Sequence, residues 1–173
     1  MDEIHVIGGK CLHGNITVQG SKNTVLPLMA GALLYRGINV LKDCPRITDV
    51  FYMEEILRAL GAETWWEDHD LYLDCTHADG SHVPEIYSGR MRSSIILLGP
   101  ILARNQQAEI GYPGGCVIGK RPVDLHLYVL RRFGAEIKEE EKKITVSCKK
   151  LCGTEIVFSK RSVGATEQAI LCA

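Results

Sequence analysis

Two stretches of the chain share one pattern and decide the predicted fold: residues 56–74, ILRALGAETWWEDHDLYLD, and residues 129–147, VLRRFGAEIKEEEKKITVS. In each, an apolar-periodic segment is followed by a Gly-Ala-Glu triplet and two short segments separated by charged residues. Gly61 and Gly134, 73 residues apart, suit the left-handed residue that ends a helix. We therefore predict an amphipathic helix followed by a strand pair in both. Asp49 and Asp124 precede these helices, and either is positioned to cap the helix that follows.

A second element occurs three times and is apolar on nearly every side. It is GSKNTVLPLMAGALL from Gly20, GRMRSSIILLGPILA from Gly89, and KRSVGATEQAILCA from Lys160. A helix that is apolar all round is a buried helix. We predict an α+β (mixed α/β) fold of repeated βαβαββ units around buried helices, an inverse α/β barrel or prism. Two units are complete, and the third is expected to be truncated because the sequence stops inside an apolar helix.

Composition excludes several classes of protein. The chain has 173 residues, the size of one domain, and a formal net charge of −1. We therefore expect no general attraction to nucleic acid or to an anionic membrane. Its apolar stretches are too short to span a bilayer, and no export signal is visible at the start.

The cysteine and histidine spacing predicts neither disulfides nor a metal site. Seven cysteines are scattered without paired spacing, which argues against a disulfide framework. Cys148 and Cys152 lie four apart, but no second pair completes a zinc site. The histidines show no ligand spacing either, so we expect no metal and no cofactor.

The three buried helices all begin beside cations: Lys22, Arg92, and Lys160 with Arg161. Helix N-termini carry unpaired N–H groups and a partial positive charge, which favour anions. If the units pack about a pseudo-threefold axis, these starts converge, and the expected ligand is a polyanion such as a nucleotide diphosphate. Gly164 lets such a ligand approach the backbone closely. The alternative is that the cations only solvate one end of the domain.

A glycine-rich loop carries a single thiol, in PGGCVIGKRPVDLH at residues 113–126. Lys120 and Arg121 follow Cys116 closely, and neighbouring cations favour the thiolate. Such a group can act as a nucleophile or a proton donor. The alternative is a surface cysteine without a role, and His126 is as well suited to binding or capping as to acting as a base.

The segments GSKN, MRSS, PGGCVIGKRPVDLH and SVGAT together resemble the N-terminal part of the UDP-N-acetylglucosamine 1-carboxyvinyltransferases, an enolpyruvyl transferase family. The resemblance implies transfer of an enolpyruvyl group from phosphoenolpyruvate to the 3-hydroxyl of UDP-N-acetylglucosamine, with release of phosphate. This is the first committed step of bacterial peptidoglycan synthesis, so it also implies a cytoplasmic protein needed for cell shape and division. The rival hypothesis is a module that binds the nucleotide sugar without turnover.

The resemblance also implies a role for each candidate residue. Cys116 matches the loop cysteine that forms an adduct with phosphoenolpyruvate, protonates its methylene carbon and is alkylated by fosfomycin. Lys22 and Asn23 match the motif that contacts both substrates, and Arg92 matches a substrate-binding arginine. Arg121 matches the arginine that helps neutralise phosphoenolpyruvate. The nucleotide is implied to contact Pro122, Val123, Asp124 and Leu125 at the uracil, and Lys160, Ser162, Val163 and Gly164 at the diphosphate.

Family members have two lobes with the active site between them. The resemblance implies that residues 1–21 belong to the other lobe and that residues 22–173 form an incomplete lobe carrying the cysteine loop. The family's general-base aspartate and a further phosphoenolpyruvate-binding arginine are implied to lie beyond residue 173. The chain alone is therefore expected to be inactive, with the missing lobe as its partner.

Overall fold

A computed structural model describes residues 3–114 and 123–173. Helices and strands alternate along the chain. The helices are α1 (Lys22–Ala32), α2 (Thr48–Ala59), α3 (Glu85–Ser88), a 3₁₀ helix (Arg92–Leu97) that runs into α4 (Leu98–Asn105), α5 (Asp124–Arg132) and α6 (Val163–Cys172). The strands are β1 (Ile38–Leu41), β2 (Glu63–Glu67), β3 (Asp70–Asp74), β4 (His82–Val83), β5 (Gln107–Gly111), β6 (Glu136–Glu139) and β7 (Lys143–Ser147).

The strands form two sheets, one for each of the first two units. The first has the order β1-β3-β2 and is antiparallel throughout. The second has the order β4-β5-β7-β6, with β4 parallel to β5 and the other pairs antiparallel. Each sheet contains the predicted strand pair, β2–β3 or β6–β7, next to the outer helix α2 or α5.

The predicted helix stops are confirmed in both units. Gly61 has φ +99° and Gly134 has φ +94°, the left-handed region that suits glycine. In the first unit, the Gly61 N–H donates to Arg58 O and the Ala62 N–H to Leu57 O, both at 2.9 Å. In the second unit, the corresponding donors are Gly134 and Ala135 at 3.0 Å. Both ends are therefore Schellman motifs.

The predicted aspartate caps are wrong. Asp49 lies inside the first turn of α2, whose N-cap is Ile47, and Asp124 is the first residue of α5, whose N-cap is Val123. Neither helix has a side-chain cap hydrogen bond. Both carboxylates instead face lysines: Asp49 lies near Lys22, and Asp124 near Lys160.

The buried helices pack against one another, as the repeat predicts. Helix α6 contacts both α4 and the 3₁₀ helix, and α1 contacts the 3₁₀ helix and α6. Met29, Leu97 and Ile101 from these helices are almost completely buried. At Gly99 the approach of α6 is so close that a Cβ would lie 2.5 Å from the side-chain amide of Gln168. The predicted α+β fold of repeated units is confirmed.

Two details differ from the predicted unit. Among the described residues, only the second buried helix is preceded by a strand, β4. The segments before the first and third buried helices, residues 3–20 and 151–159, pair with no strand in the described part of the chain. The second buried helix also begins as a 3₁₀ helix and becomes α-helical only at Leu98. Pro100 is then the third α-helical residue.

One buried guanidinium joins the two units. The Arg104 side chain at the end of α4 is only 5% exposed. It donates to Leu33 O at 2.8 Å, to Cys75 O, and to Thr76 O at 3.0 Å. Its Nε also donates to Asp79 Oδ1 at 3.2 Å. Arg104 therefore satisfies carbonyls at the end of α1 and just after β3, which belong to the other unit.

Candidate functional site

A cleft of about 340 Å³ lies where the starts of α1 and the 3₁₀ helix meet the first turn of α6. Four predicted site residues line it together: Lys22, Asn23, Arg92 and Gly164. They come from three units of the sequence and meet because the three buried helices pack together. The three helix starts therefore converge, but of the cations predicted from the repeat only Lys22 and Arg92 line this cleft, whereas Lys160 and Arg161 line a neighbouring groove.

A carboxylate from the outer helix α2 orients one of the cations. Lys22 Nζ lies 2.7 Å from Asp49 Oδ2, and both side chains remain partly exposed. Arg92 begins the 3₁₀ helix on the other side of the same cleft. The cleft thus combines an ion pair with further guanidinium charge, an arrangement suited to a ligand with more than one anionic group.

The start of α6 is built to receive an anion on its backbone. Ser162 is the N-cap, and its Oγ accepts from the Ala165 N–H at 3.3 Å. The N–H groups of Val163 and Gly164 precede it in the first turn, where a helix offers no internal acceptor. A Cβ on Gly164 would lie 3.0 Å from His126 Cε1, so a larger residue would require the imidazole to shift by a few tenths of an ångström.

The remaining predicted residues of α6 line a second, neighbouring groove. Lys160, Ser162 and Val163 lie on it, and Glu167 borders both the groove and the cleft. Lys160 Nζ is 3.9 Å from Asp124 Oδ2. The predicted diphosphate residues therefore divide between two adjacent depressions on either side of Glu167.

The start of α5 holds the rest of the predicted site. Val123 is buried in the core, Leu125 is half-buried against it, and Asp124 is exposed. Any ligand contact at Val123 must therefore come from its backbone. Three further predicted residues, Cys116, Arg121 and Pro122, lie outside the described residues.

His126 lies at the floor of the cleft, a role that the sequence left open. It is 7% exposed, and its Nδ1 is buried without a hydrogen-bond partner among the described residues. Burial lowers the pKa of His126 to about 4, because it disfavours the imidazolium, and nearby Arg92 lowers it further; Gln168 and Asp124 oppose the shift. The imidazole is therefore neutral near pH 7. The sequence feature that could have indicated the burial of His126 is its position on the apolar face of α5, with Leu127 and Leu130.

We expect acid to destabilise the protein through His126. The unfolded chain takes up a proton near pH 6.5 but the folded chain only near pH 4, so stability present above pH 6.5 is lost as pH falls through this window. The free energy of unfolding should fall by about 3 kcal/mol between pH 7 and pH 4. Urea unfolding at pH 7, 5.5 and 4 measures it. His126→Asn should remove this part of the pH dependence, whereas the exposed control His69→Asn should retain it; parallel curves for wild type and His126→Asn would contradict the expectation.

Three charged lining residues were missed by sequence reasoning. Asp49 was interpreted as a cap, and Arg90 and Glu167 received no role. Glu167 stands three residues after Gly164, so the helical period could have placed it on the same face. Burial alone raises the pKa of its carboxyl.

Among the described residues, no helix has the length and apolar character needed to cross a membrane. In the same part of the chain, no three His, Cys, Asp or Glu side chains are grouped as metal ligands would be.

Relatives of known name match the whole chain. It is 41% identical over 173 residues to UDP-N-acetylglucosamine 1-carboxyvinyltransferase 2 of Caldanaerobacter subterraneus subsp. tengcongensis, covering 100% of this chain and 42% of the relative. It is 41% identical over 172 residues to UDP-N-acetylglucosamine 1-carboxyvinyltransferase of Wolbachia pipientis wMel, covering 95% of this chain and 40% of that relative. The chain thus spans about two fifths of the length of these curated relatives. The resemblance predicted from the sequence motifs is confirmed.

Solved structures show the same fold at lower identity. The enolpyruvyl transferase NikO from Streptomyces tendae matches with a TM-score of 0.79 and 23% identity, over 95% of this chain and 39% of that one. EPSP synthase from Acinetobacter baumannii matches with a TM-score of 0.69 and 18% identity, over 92% and 37%. The family model described as EPSP synthase (3-phosphoshikimate 1-carboxyvinyltransferase) matches residues 6–173. The chain therefore belongs to the EPSP synthase family.

Proposed function

We propose that this chain forms part of an enzyme that transfers the enolpyruvyl group of phosphoenolpyruvate to the 3-hydroxyl of UDP-N-acetylglucosamine and releases phosphate. The observation that carries the proposal is the cleft shared by Lys22, Asn23, Arg92 and Gly164. The proposal is also supported by the two relatives at 41% identity, which are both named UDP-N-acetylglucosamine 1-carboxyvinyltransferase. The reaction would make this a bacterial cytoplasmic protein of peptidoglycan synthesis, with consequences for cell shape and division.

Each part of the site has a proposed ligand. Lys22, Asn23 and Arg92, with Arg121, would hold phosphoenolpyruvate beside the sugar. Cationic groups are needed there because the phosphate and carboxylate of this substrate repel each other. The N-terminus of α6 would hold the diphosphate through Lys160, Ser162, Val163 and Gly164, and the segment Pro122, Val123, Asp124 and Leu125 would contact the uracil.

The chemistry needs an acid, and Cys116 is proposed to supply it. Transfer of the thiol proton to the methylene carbon of phosphoenolpyruvate leaves an oxocarbenium-like centre at the neighbouring carbon. The sugar hydroxyl then adds to this carbon and loses its proton to a base. Loss of phosphate, together with a proton from the new methyl group, restores the double bond. The cysteine loop closing over the substrates would exclude water.

A second lobe is proposed to complete the site. Residues 3–19 are exposed throughout, and six of their apolar side chains are at least 78% exposed: Ile4, Val6, Ile7, Leu12, Ile16 and Val18. An exposed apolar row of this kind marks a surface that packs against another element. We propose that residues 1–21 pack on that lobe and that residues 22–173 belong to the lobe with the cysteine loop.

A chimaera tests the proposed function. Residues 1–173 are joined to the part of the Caldanaerobacter relative that follows the matched region, and phosphate release is measured with both substrates and with each alone. We expect release only when both are present. No release from a folded chimaera that binds UDP-N-acetylglucosamine would instead favour the second candidate, a nucleotide-sugar-binding module without turnover.

A further inference from the structure

Arg90 lines the candidate cleft together with Lys22 and Arg92, although no sequence motif assigned it a role. It lies between α3 and the 3₁₀ helix, two residues before Arg92, and its side chain is exposed at the rim. The cleft therefore carries a third cation. Its charge matters only if the side chain is held in place and is not already neutralised.

The Arg90 side chain lies beside Tyr52. The guanidinium carbon of Arg90 lies 5.8 Å from the centroid of the Tyr52 ring, and Nη1 lies 3.5 Å from the Tyr52 hydroxyl oxygen. Tyr52 stands three residues after Asp49 on α2, so the two side chains share one face of that helix. Helix α2 thus positions two cations of the cleft: Lys22 through a carboxylate and Arg90 through a phenol.

This difference in partners decides which cation keeps its charge for a ligand. Asp49, 2.7 Å away, offsets the charge of Lys22. In residues 3–114 and 123–173, Arg90 has no carboxylate within ion-pair distance, and its only side-chain hydrogen-bond partner is the neutral Tyr52 hydroxyl. A guanidinium has five N–H donors, and its fork matches the oxygens of a phosphate. Within the described ranges most of these donors have no partner, so they are positioned to bind an anion in the cleft.

We propose that Arg90 is a further anion-binding residue of this cleft, in which its guanidinium binds the phosphate group of a small phosphate-bearing ligand and Tyr52 positions it. The inference rests on the proposed function only for the identity of that ligand, phosphoenolpyruvate. The adjacent groove at Lys160 and Ser162 is separate from Arg90, so a nucleotide diphosphate bound there should not depend on it.

Calorimetry on the 173-residue chain tests the proposal, with phosphoenolpyruvate, inorganic phosphate, pyruvate and UDP titrated separately. Arg90→Gln should weaken the binding of phosphoenolpyruvate and of phosphate about 10-fold, which is the effect of losing one charge-assisted contact. Arg90→Lys keeps the positive charge but lacks the forked guanidinium, so its affinity should lie between those of wild type and Arg90→Gln. Tyr52→Phe keeps the ring and should weaken binding about 2-fold. The matched control is Arg131→Gln, which removes the same charge from an exposed pair with Glu139 and should change nothing.

Several results would overturn the proposal. One is an equal loss of phosphoenolpyruvate affinity in Arg90→Gln and Arg131→Gln. Another is a loss of affinity in Arg90→Gln that is as large for pyruvate as for phosphate, or as large for UDP as for phosphoenolpyruvate. Absence of phosphate and phosphoenolpyruvate binding in the folded wild-type chain, with folding checked by circular dichroism, would overturn it as well. Phosphate binding that depends on Arg90, in a chain whose chimaera releases no phosphate, would support this inference and contradict the proposed function alone.

Discussion

Cys116→Ser in the chimaera is expected to lower phosphate release by at least about 1,000-fold while nucleotide binding stays near normal. A serine hydroxyl is a much weaker acid than a thiol, and it cannot form the thiolate that Lys120 and Arg121, close in sequence, would stabilise. Steady-state phosphate release gives the rate, and calorimetry with UDP-N-acetylglucosamine gives the binding. The prediction depends on the sequence motif, since Cys116 lies outside the described residues.

The control for this prediction is Cys152→Ser, which changes an exposed cysteine away from the cleft and should leave turnover intact. Fosfomycin provides an independent readout: peptide mapping should find the label on Cys116 in the wild-type chimaera and none in Cys116→Ser. Unchanged turnover in Cys116→Ser, or labelling of another cysteine with equal inactivation, would remove Cys116 from the mechanism.

Arg104→Met is expected to destabilise the protein by about 3 kcal/mol. The substitution keeps much of the length but removes three donors: Leu33 O loses the guanidinium hydrogen bond entirely, whereas Cys75 O keeps the Ala78 N–H at 3.3 Å and Thr76 O keeps a long contact of 3.5 Å from Arg36 Nη1. It also leaves Asp79 with one arginine partner instead of two. The free energy of unfolding from urea titration measures the effect.

Arg131→Met is the matched control, because this arginine forms an exposed pair with Glu139. It should cost less than about 1 kcal/mol. Arg104→Lys should lie between, since an ammonium cannot reach all four acceptors at once. Equal unfolding curves for Arg104→Met and Arg131→Met would mean that Arg104 does not join the two units.

The parts of the fold that were predictable are those set by local pattern. Gly61 and Gly134 end their helices in the expected conformation, and the strand pairs follow as the repeated pattern predicts. The caps failed because a short side chain before a helix fits either an N-cap or the first turn, and long-range partners decided the outcome. Asp49 lies 27 residues from the lysine it pairs with, a contact that no local pattern encodes.

The site was predictable where the repeat placed cations at equivalent helix starts. Lys22 and Arg92 meet because corresponding helix starts of a repeated unit occupy corresponding places in the fold, whereas the third predicted pair, Lys160 and Arg161, lines the adjacent groove. Arg90 and Tyr52 were not predictable, since their contact depends on how α2 packs beside the loop before the 3₁₀ helix. The division of the α6 start into a cleft and a groove likewise depends on tertiary packing, through the position of Glu167.

Backbone amide NMR of the 173-residue chain, titrated with UDP-N-acetylglucosamine, tests most directly whether separate helix starts form one ligand site. We predict that the largest shifts occur together at Asn23, Ser93, Ser162 and Gly164, saturate with one binding constant and are weakened by Lys22→Gln. The control residues Lys138 and Thr145, on the strands β6 and β7, should not shift. Shifts confined to one of the three helix starts, or spread evenly over both sheets, would contradict a shared nucleotide-sugar site.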